Sequence, residues 1–469
     1  MPSLAARGSF SVRLALLCCL LGGAAGGCGH SYDASLPNST ELGAPRGYRE
    51  ARIITHFHSP YSYDACDRNG FPNGSIDLEC LHHLKNAACL NRVDFVFVTD
   101  HPNNMANYEM KDLVLAESGD TVLGGATPFG AQLANCSGGF VPTILPGFEG
   151  KLLALGMTKH LETDPTVRND LYGQETAALA GRLVTEANAI VAIPHTEGKT
   201  IAEIRAVGPG AIEIYNFHAN IDPKIRLSNL HVAPFEVVPG LLTYILDPYH
   251  SLNPDYGFIS FVQTFPTYFQ TWDELIKDGT AMTGLGGTDS HENVFPQKVE
   301  DGERLDSHRR IMRFLSNHYL VSTMDAEGAK DALRKGRGWM VFEGFGTPVG
   351  MDFFAQLGTT TVGVGESAIL PGSGTNALYV TIPHLHSASP HGDKAPIIRV
   401  RLRRVDANAV ETLVGESEGS DLYFPVTLTG AYRAEIFIVP QHLRPFLGDF
   451  DDQAEREFPW IITNHIQLK

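Results

Sequence analysis

The sequence is short of positive charge. Thirty-six Lys and Arg stand against 53 Asp and Glu, for a formal charge of -17. A surface that wraps nucleic acid is basic, so no stable nucleic-acid partner is expected. A small phosphate ester held by metal ions in a local positive pocket remains compatible with that balance. Long hydrophobic runs are also lacking. Leu14 to Leu21 is too short for a membrane span. The CxxC spacing is missing as well. Cys66, Cys80, Cys89 and Cys136 are spread singly, which argues against a thiolate metal site and for disulfides or inert buried thiols. Three pairings of the four are open.

What is present is ordinary globular material: 469 residues, 43% hydrophobic and 19% charged, enough for roughly two or three domains. The N-terminus reads as an address. Arg7 and Arg13 precede the apolar run, and Ala25-Gly26-Gly27-Cys28 places small residues directly before a cysteine. Residues 1–28 resemble a bacterial lipoprotein signal, with Cys28 lipidated. Plain secretion with cleavage nearby is the alternative. Either way the chain is expected to be exported, to the periplasm or the outer surface, and the lipid on Cys28 would tie it to a membrane. Residues 29–50, rich in Pro, Ser, Asn and Gly, read as a tether.

The informative stretch is Thr55-His56-Phe57-His58-Ser59, directly after the β-branched run Arg52-Ile53-Ile54. Side chains two apart on a strand share a face, so His56 and His58 emerge together, and two neutral imidazoles converging on one point grip a transition metal. The run Val93 to Val98 reads as a strand buried on both faces, ending in Thr99-Asp100-His101. Further strands are expected to end near Glu149, His195 and Asp289, alternating with helices over 75–90, 174–187 and 201–207. The residues 102–140 read as a long loop and 219–267 as an irregular cap. Alternating β and α units point to a parallel α/β fold. Ligand-type residues at strand C-termini are where α/β barrels build active sites. After about residue 345 the pattern changes to short alternating strands, a β-sandwich accessory module over 346–469. His384, His386 and His391 lie in it and read as a polar loop.

Collected, the strand-end candidates are His56, His58, Asp64, His101, Glu149, His160, His195, Asp289 and His291. Imidazole and carboxylate without cysteine fit zinc, manganese or iron. The set is too large for one ion and suits two or three. In order along the chain, His56-x-His58-Ser-x-x-Ser62, Thr99-Asp100-His101, Gly147-x-Glu149, His160, Pro194-His195 and Asp289-x-His291 resemble the successive motifs of the polymerase-and-histidinol-phosphatase (PHP) metallohydrolases, over residues 51–345. Where that family often places an aspartate directly after the second serine, Tyr63 intervenes here. Asp64 stands in, with Asp67 in reserve. The resemblance implies a distorted (β/α)7 PHP barrel, with insertions near 102–140 and 219–267. It also implies three ligand sets. His56, His58, Glu149 and Asp289 form the first; Glu149, His160 and His195 the second; Asp64, His101 and His291 the third. Ala332-Leu333-Arg334-Lys335-Gly336 and Pro459-Trp460-Ile461-x-x-Asn464 look like the exported branch that includes carbamate-insecticide hydrolases.

The implied activity is hydrolysis of a small-molecule ester by ion-activated water, with no other catalytic group. A phosphoester is the first expectation, and a carbamate, carboxylic ester or amide the second. A degenerate barrel serving as a cell-surface binding protein is the reading from a different class. Asp100 is expected either to orient a ligand histidine or to cap the next helix. Arg310, beside Arg309, is a candidate for holding a substrate anion. His218, His231 and His250 lie in the cap. Glu213 is expected at a strand end but not as a ligand.

Overall fold

The computed structural model describes residues 36–469 apart from 135, 237, 248–251, 264 and 387–393. The leader with Cys28, His250 and His391 lie outside the described residues. Seven strands carry the site: β1 (Arg49–Ile54), β2 (Phe95–Val98), β3 (Thr143–Pro146), β4 (Ile190–Ile193), β5 (Ala211–Asn216), β6 (Thr283–Gly287) and β7 (Ser316–Val321). From β2 to β7 every position is buried, as strands covered on both faces require. β1 pairs parallel with β2, and β2 with β3. In a separate sheet β4 pairs parallel with β5, and β5 with β6. β7 runs antiparallel to β1.

These strands do not close into the expected (β/α)7 ring. Among the described residues they divide between a thirteen-stranded and a five-stranded sheet. Two side chains account for one open seam. The edge of β6 that faces β7 has its Gly286 N–H taken by Asn317 Oδ1 at 2.8 Å and its Gly284 N–H taken by Asn464 Oδ1 at 2.7 Å. The same amides donate back to the Gly286 and Gly284 carbonyls. Buried peptide groups must be satisfied, and here two side-chain amides stand where a ladder would be. Beyond that seam the end of β6 meets the end of β1. His58 N donates to Ser290 O, and Asp289 N to His56 O.

The stretch 102–140 is more ordered than a long loop. Pro102–Met105 and Met110–Leu113 are helical, and the hairpin Thr121–Leu123 with Gly130–Gln132 extends the sheet beyond β3. Cys89–Cys136 ties it back to the helix Leu78–Leu90, and Cys66–Cys80 ties the same helix to the turn after β1. The cap is built of short helices, among them Phe217–Ile221, Pro223–Ser228 and Val238–Leu246. The strand-rich C-terminal region continues the large sheet. Phe458–Thr463 pairs antiparallel with Gly338–Val341, through Trp339↔Thr463 and Val341↔Ile461. A four-stranded sheet that includes Asp352–Leu357 and Asn376–Thr381 shares its core, with Phe353, Leu378, Val400 and Ile436 all buried.

Candidate metal centre

His56 and His58 leave the end of β1 on one face, and Phe57 between them turns inward against the His308 ring, 4.5 Å away. His101 follows β2, Glu149 sits in the two-residue strand after β3, His195 follows β4, and Asp289 and His291 follow β6. His195 and Asp289 both take left-handed backbone, each with φ 51. Such non-glycine conformations cost about 1–3 kcal/mol each and persist where the surroundings over-determine them.

Among the described residues the candidate ligands form two sets whose atoms lie within 4.8 Å of one another: His56, His58, Glu149 and Asp289, and His58, Asp64, His101 and His291. His195 joins from the cleft side, its Nε2 3.1 Å from Glu149 Oε1 and 3.3 Å from Asp289 Oδ2. Glu149 thus faces His195 with one oxygen and His56 and His58 with the other.

Each imidazole is fixed by its Nδ1. That atom of His56 meets Glu213 Oε1 at 2.7 Å, and that of His58 meets Ser62 Oγ at 3.1 Å. His101 reaches the Glu149 carbonyl, His195 reaches Glu197 Oε1, and His291 reaches the Asp289 carbonyl. The acceptors require Nδ1 to carry the proton, which leaves Nε2 as a lone pair in every ring. His56 Nε2 and His58 Nε2 then face each other at 3.3 Å, beside carboxylate oxygens at 3.1–3.3 Å. Lone pairs gathered in this way repel unless a cation lies among them. The Nε2 of His291 is buried with no hydrogen-bond partner. The donor set therefore fits N/O-ligated divalent ions, with the outer acceptors that hold metal-bound histidines in place.

Without metal the site compensates with protons. Burial opposes charge on His56 and His195, yet Asp289 and Glu149 beside them hold both well above the ordinary histidine range. His101, also disfavoured by burial, is pushed up to about 9 by Asp64 and Glu149. Glu149 and Asp289 stay well below the ordinary carboxylate range against their burial, chiefly through the charge on His56.

Glu213 is the residue that strand-end reasoning set aside. Besides His56 it accepts from the His195 backbone N–H at 2.9 Å and from Asn216 Nδ2 at 3.1 Å. Gly287 makes room for it: a Cβ there would fall 1.9 Å from Glu213 Oε1. Its signal was its apolar setting, since a carboxylate buried within Ala-Ile-Glu-Ile-Tyr needs a dedicated partner. Glu197 was not foreseen either. It accepts from Tyr268 Oη at 3.0 Å as well as from His195.

Three expected roles change. His160 contributes to neither ligand set. Its Nδ1 meets Tyr172 Oη and its Nε2 donates to the Tyr108 carbonyl, both at 3.1 Å, and burial together with the charge of Arg168 lowers it to about 4. Arg310 cannot receive a substrate anion. It is fully buried and already paired with Asp255 and Asp301. Asp100 neither touches a ligand ring nor caps the next helix, whose N-cap is His101. It pins the turn after His58 by accepting from Ser59 N and Oγ, both at 2.6 Å, and burial raises it to about 6.

The centre opens into a cleft of about 910 Å³. His195 and His101 keep 31% and 22% of their side chains exposed there, whereas His56 and His58 keep none. His218 lines the cleft 5.2 Å from His291, ring to ring.

No protein-family model matches this sequence, and no curated protein matches it. Two solved structures are similar. PsfC from Pseudomonas syringae PB-5123 is 13% identical, with 60% of this chain and 88% of that one covered and a TM-score of 0.33. A two-domain protein from Bacteroides vulgatus ATCC 8482, containing a predicted PHP-like metal-dependent phosphoesterase, is 12% identical, with 86% and 95% covered and a TM-score of 0.33. Both likenesses are slight.

Proposed function

We propose that this chain is an exported metal-dependent hydrolase that cleaves phosphoester bonds with two or three divalent ions of zinc, manganese or iron. The observation that carries the reading is the convergence of five imidazole Nε2 atoms on three carboxylates, with every Nδ1 held by an outer acceptor. Divalent ions held by these residues would supply a lowered pKa for water, from about 15.7 to roughly 7, and would offset charge on the attacked group. The protein's own part is placement. Glu149 spans two ligand groups, Glu213 and Glu197 fix the tautomers of His56 and His195, and Asp100 holds the turn that aims His58.

Charge favours phosphoesters over neutral carbonyl substrates. Two divalent ions would offset Asp64, Glu149 and Asp289, and an anionic phosphoryl oxygen would be a stronger donor to ions held there than a neutral carbonyl. A carbamate or carboxylic ester is the second reading, supported by the apolar cap residues along the cleft. Export and a lipid on Cys28 are part of the proposal. The Cys66–Cys80 and Cys89–Cys136 disulfides support an oxidising compartment.

Elemental analysis of the purified mature chain, with assays on p-nitrophenyl phosphate, bis-p-nitrophenyl phosphate and aryl carbamates, tests the reading. Two or more ions per chain with phosphoester turnover are expected. Turnover of carbamates alone selects the second reading. No metal after reconstitution with Zn or Mn overturns both and leaves a binding protein.

A further inference from the structure

The cleft has two unlike sides. Its floor is the ligand cluster. The lining from the cap and the loop after Asp289 is mostly apolar, with Ile221, Ile225, Phe235, Leu241, Phe261 and Phe295, and with His218, Asp222 and Asn293 as its polar members. Phe235 is 63% exposed, a large apolar side chain left facing the cleft. The lining also includes Arg68 and Tyr63, from the turn that bears Asp64 and adjoins the loop after Asp289. Arg68 is the one Arg or Lys lining the cleft, and among the described residues its guanidinium has no carboxylate partner. Most other arginines near the site are already committed, as Arg304 is to Asp67 and Asp306 and Arg309 is to Asp255 and Glu303.

We propose that the substrate is a phosphomonoester of a bulky apolar alcohol, aryl or branched alkyl. Its phosphoryl group lies on the cluster and toward Arg68, and its organic group lies on the cap wall. This rests on the phosphoesterase reading and narrows it. A sugar or nucleoside leaving group would set most of its hydroxyls against Ile225, Leu241 and Phe261, with only Asp222, His218 and Asn293 as polar neighbours in the cap-side lining, and burying an unpaired hydroxyl is costly. An apolar group gains in proportion to the area it buries there. Arg68 suits a phosphoryl oxygen because its planar fork donates two parallel N–H groups. In the cleavage the phosphorus–oxygen bond to the alcohol breaks, water supplies the new oxygen on phosphorus, and the alcohol leaves with a proton.

Binding and turnover test this separately. Calorimetry on the metal-loaded protein compares benzylphosphonate with methylphosphonate, neither of which is cleaved. At least about ten-fold tighter binding of the benzyl compound is expected. Ile225→Asn and Phe235→Ser, the latter at an exposed position that folding does not need, should each erase most of that preference. Leu227→Asn, on the same helix as Ile225 but outside the cleft, should keep it. Arg68→Met should weaken both phosphonates alike. Equal affinity for the two phosphonates, or a preference that survives both wall variants, overturns the proposal. Turnover then separates the readings. Hydrolysis of glycerol phosphate as efficient as that of phenyl phosphate overturns the apolar wall but keeps the phosphoesterase. Failure with every phosphoester overturns the phosphoesterase itself.

Discussion

Glu213 Oε1 lies 2.7 Å from His56 Nδ1, and that contact decides which nitrogen of the imidazole faces the centre. The other oxygen of the same carboxylate holds the backbone of His195. Glu213→Gln keeps the shape but removes the charge that fixes the tautomer. Metal affinity should fall roughly ten- to a hundred-fold, read by competition with a chromophoric chelator. An unchanged affinity would show that Glu213 is only filling space.

Metal binding should strengthen as pH rises. In the metal-free protein His101 holds its proton up to about 9, against an ordinary value of 6.5, and His56 and His195 are also shifted upward. An ion must displace those protons, so affinity climbs from pH 6 to 9 and protons are released. The same shift sets the stability of the metal-free chain. A raised histidine stabilises the fold fully below 6.5, and that contribution is lost as pH passes through about 9. Metal-free protein should therefore melt at a lower temperature at pH 9 than at pH 7. Calorimetry in buffers of different ionisation enthalpy counts the protons, and zero release would refute the scheme.

Replacing His160 by Gln should leave bound metal unchanged, because Tyr172 and Tyr108 already occupy both ring nitrogens. His101→Gln should instead empty the set it shares with Asp64 and His291. Metal counts per chain for the two variants distinguish them. Loss of an ion in the His160 variant would restore that residue as a ligand.

The Cys66–Cys80 disulfide fixes the turn that carries Asp64, and Cys66 N donates to the His291 carbonyl at 2.9 Å. Converting both cysteines to serine removes a closure across 14 residues, worth about 3 kcal/mol in denaturant titrations. The Asp64, His101 and His291 set should lose its ion first, while the His56 set keeps its own. Full stoichiometry together with unaltered stability would count against this coupling.

Much of the site was legible in the sequence because its residues stand where β-branched or apolar runs stop. His56, His58 and His101 follow such runs directly, and Asp289-x-His291 follows the glycine-rich strand β6. Local pattern reaches no further than that. His160 looks like a ligand until Tyr172 and Tyr108, 12 and 52 residues away, fold over it. Arg310 looks like a free cation until Asp255 arrives from the cap, 55 residues away. Glu213 looked idle because its partners come from the ends of two other strands. The open seam was illegible for the same reason. Asn317 and Asn464 read as ordinary polar residues, and only the packed chain shows whose peptide groups they satisfy.

Asn464 reaches Gly284 across 180 residues of sequence. During synthesis the Gly284 peptide group is therefore made well before the amide that covers it, whereas Asn317, which covers Gly286, follows within 31 residues. Until residue 464 has been made, that one peptide group of β6 lacks its partner. Loss of that one amide would leave the Gly284 N–H buried and unsatisfied in the strand that leads to Asp289 and His291.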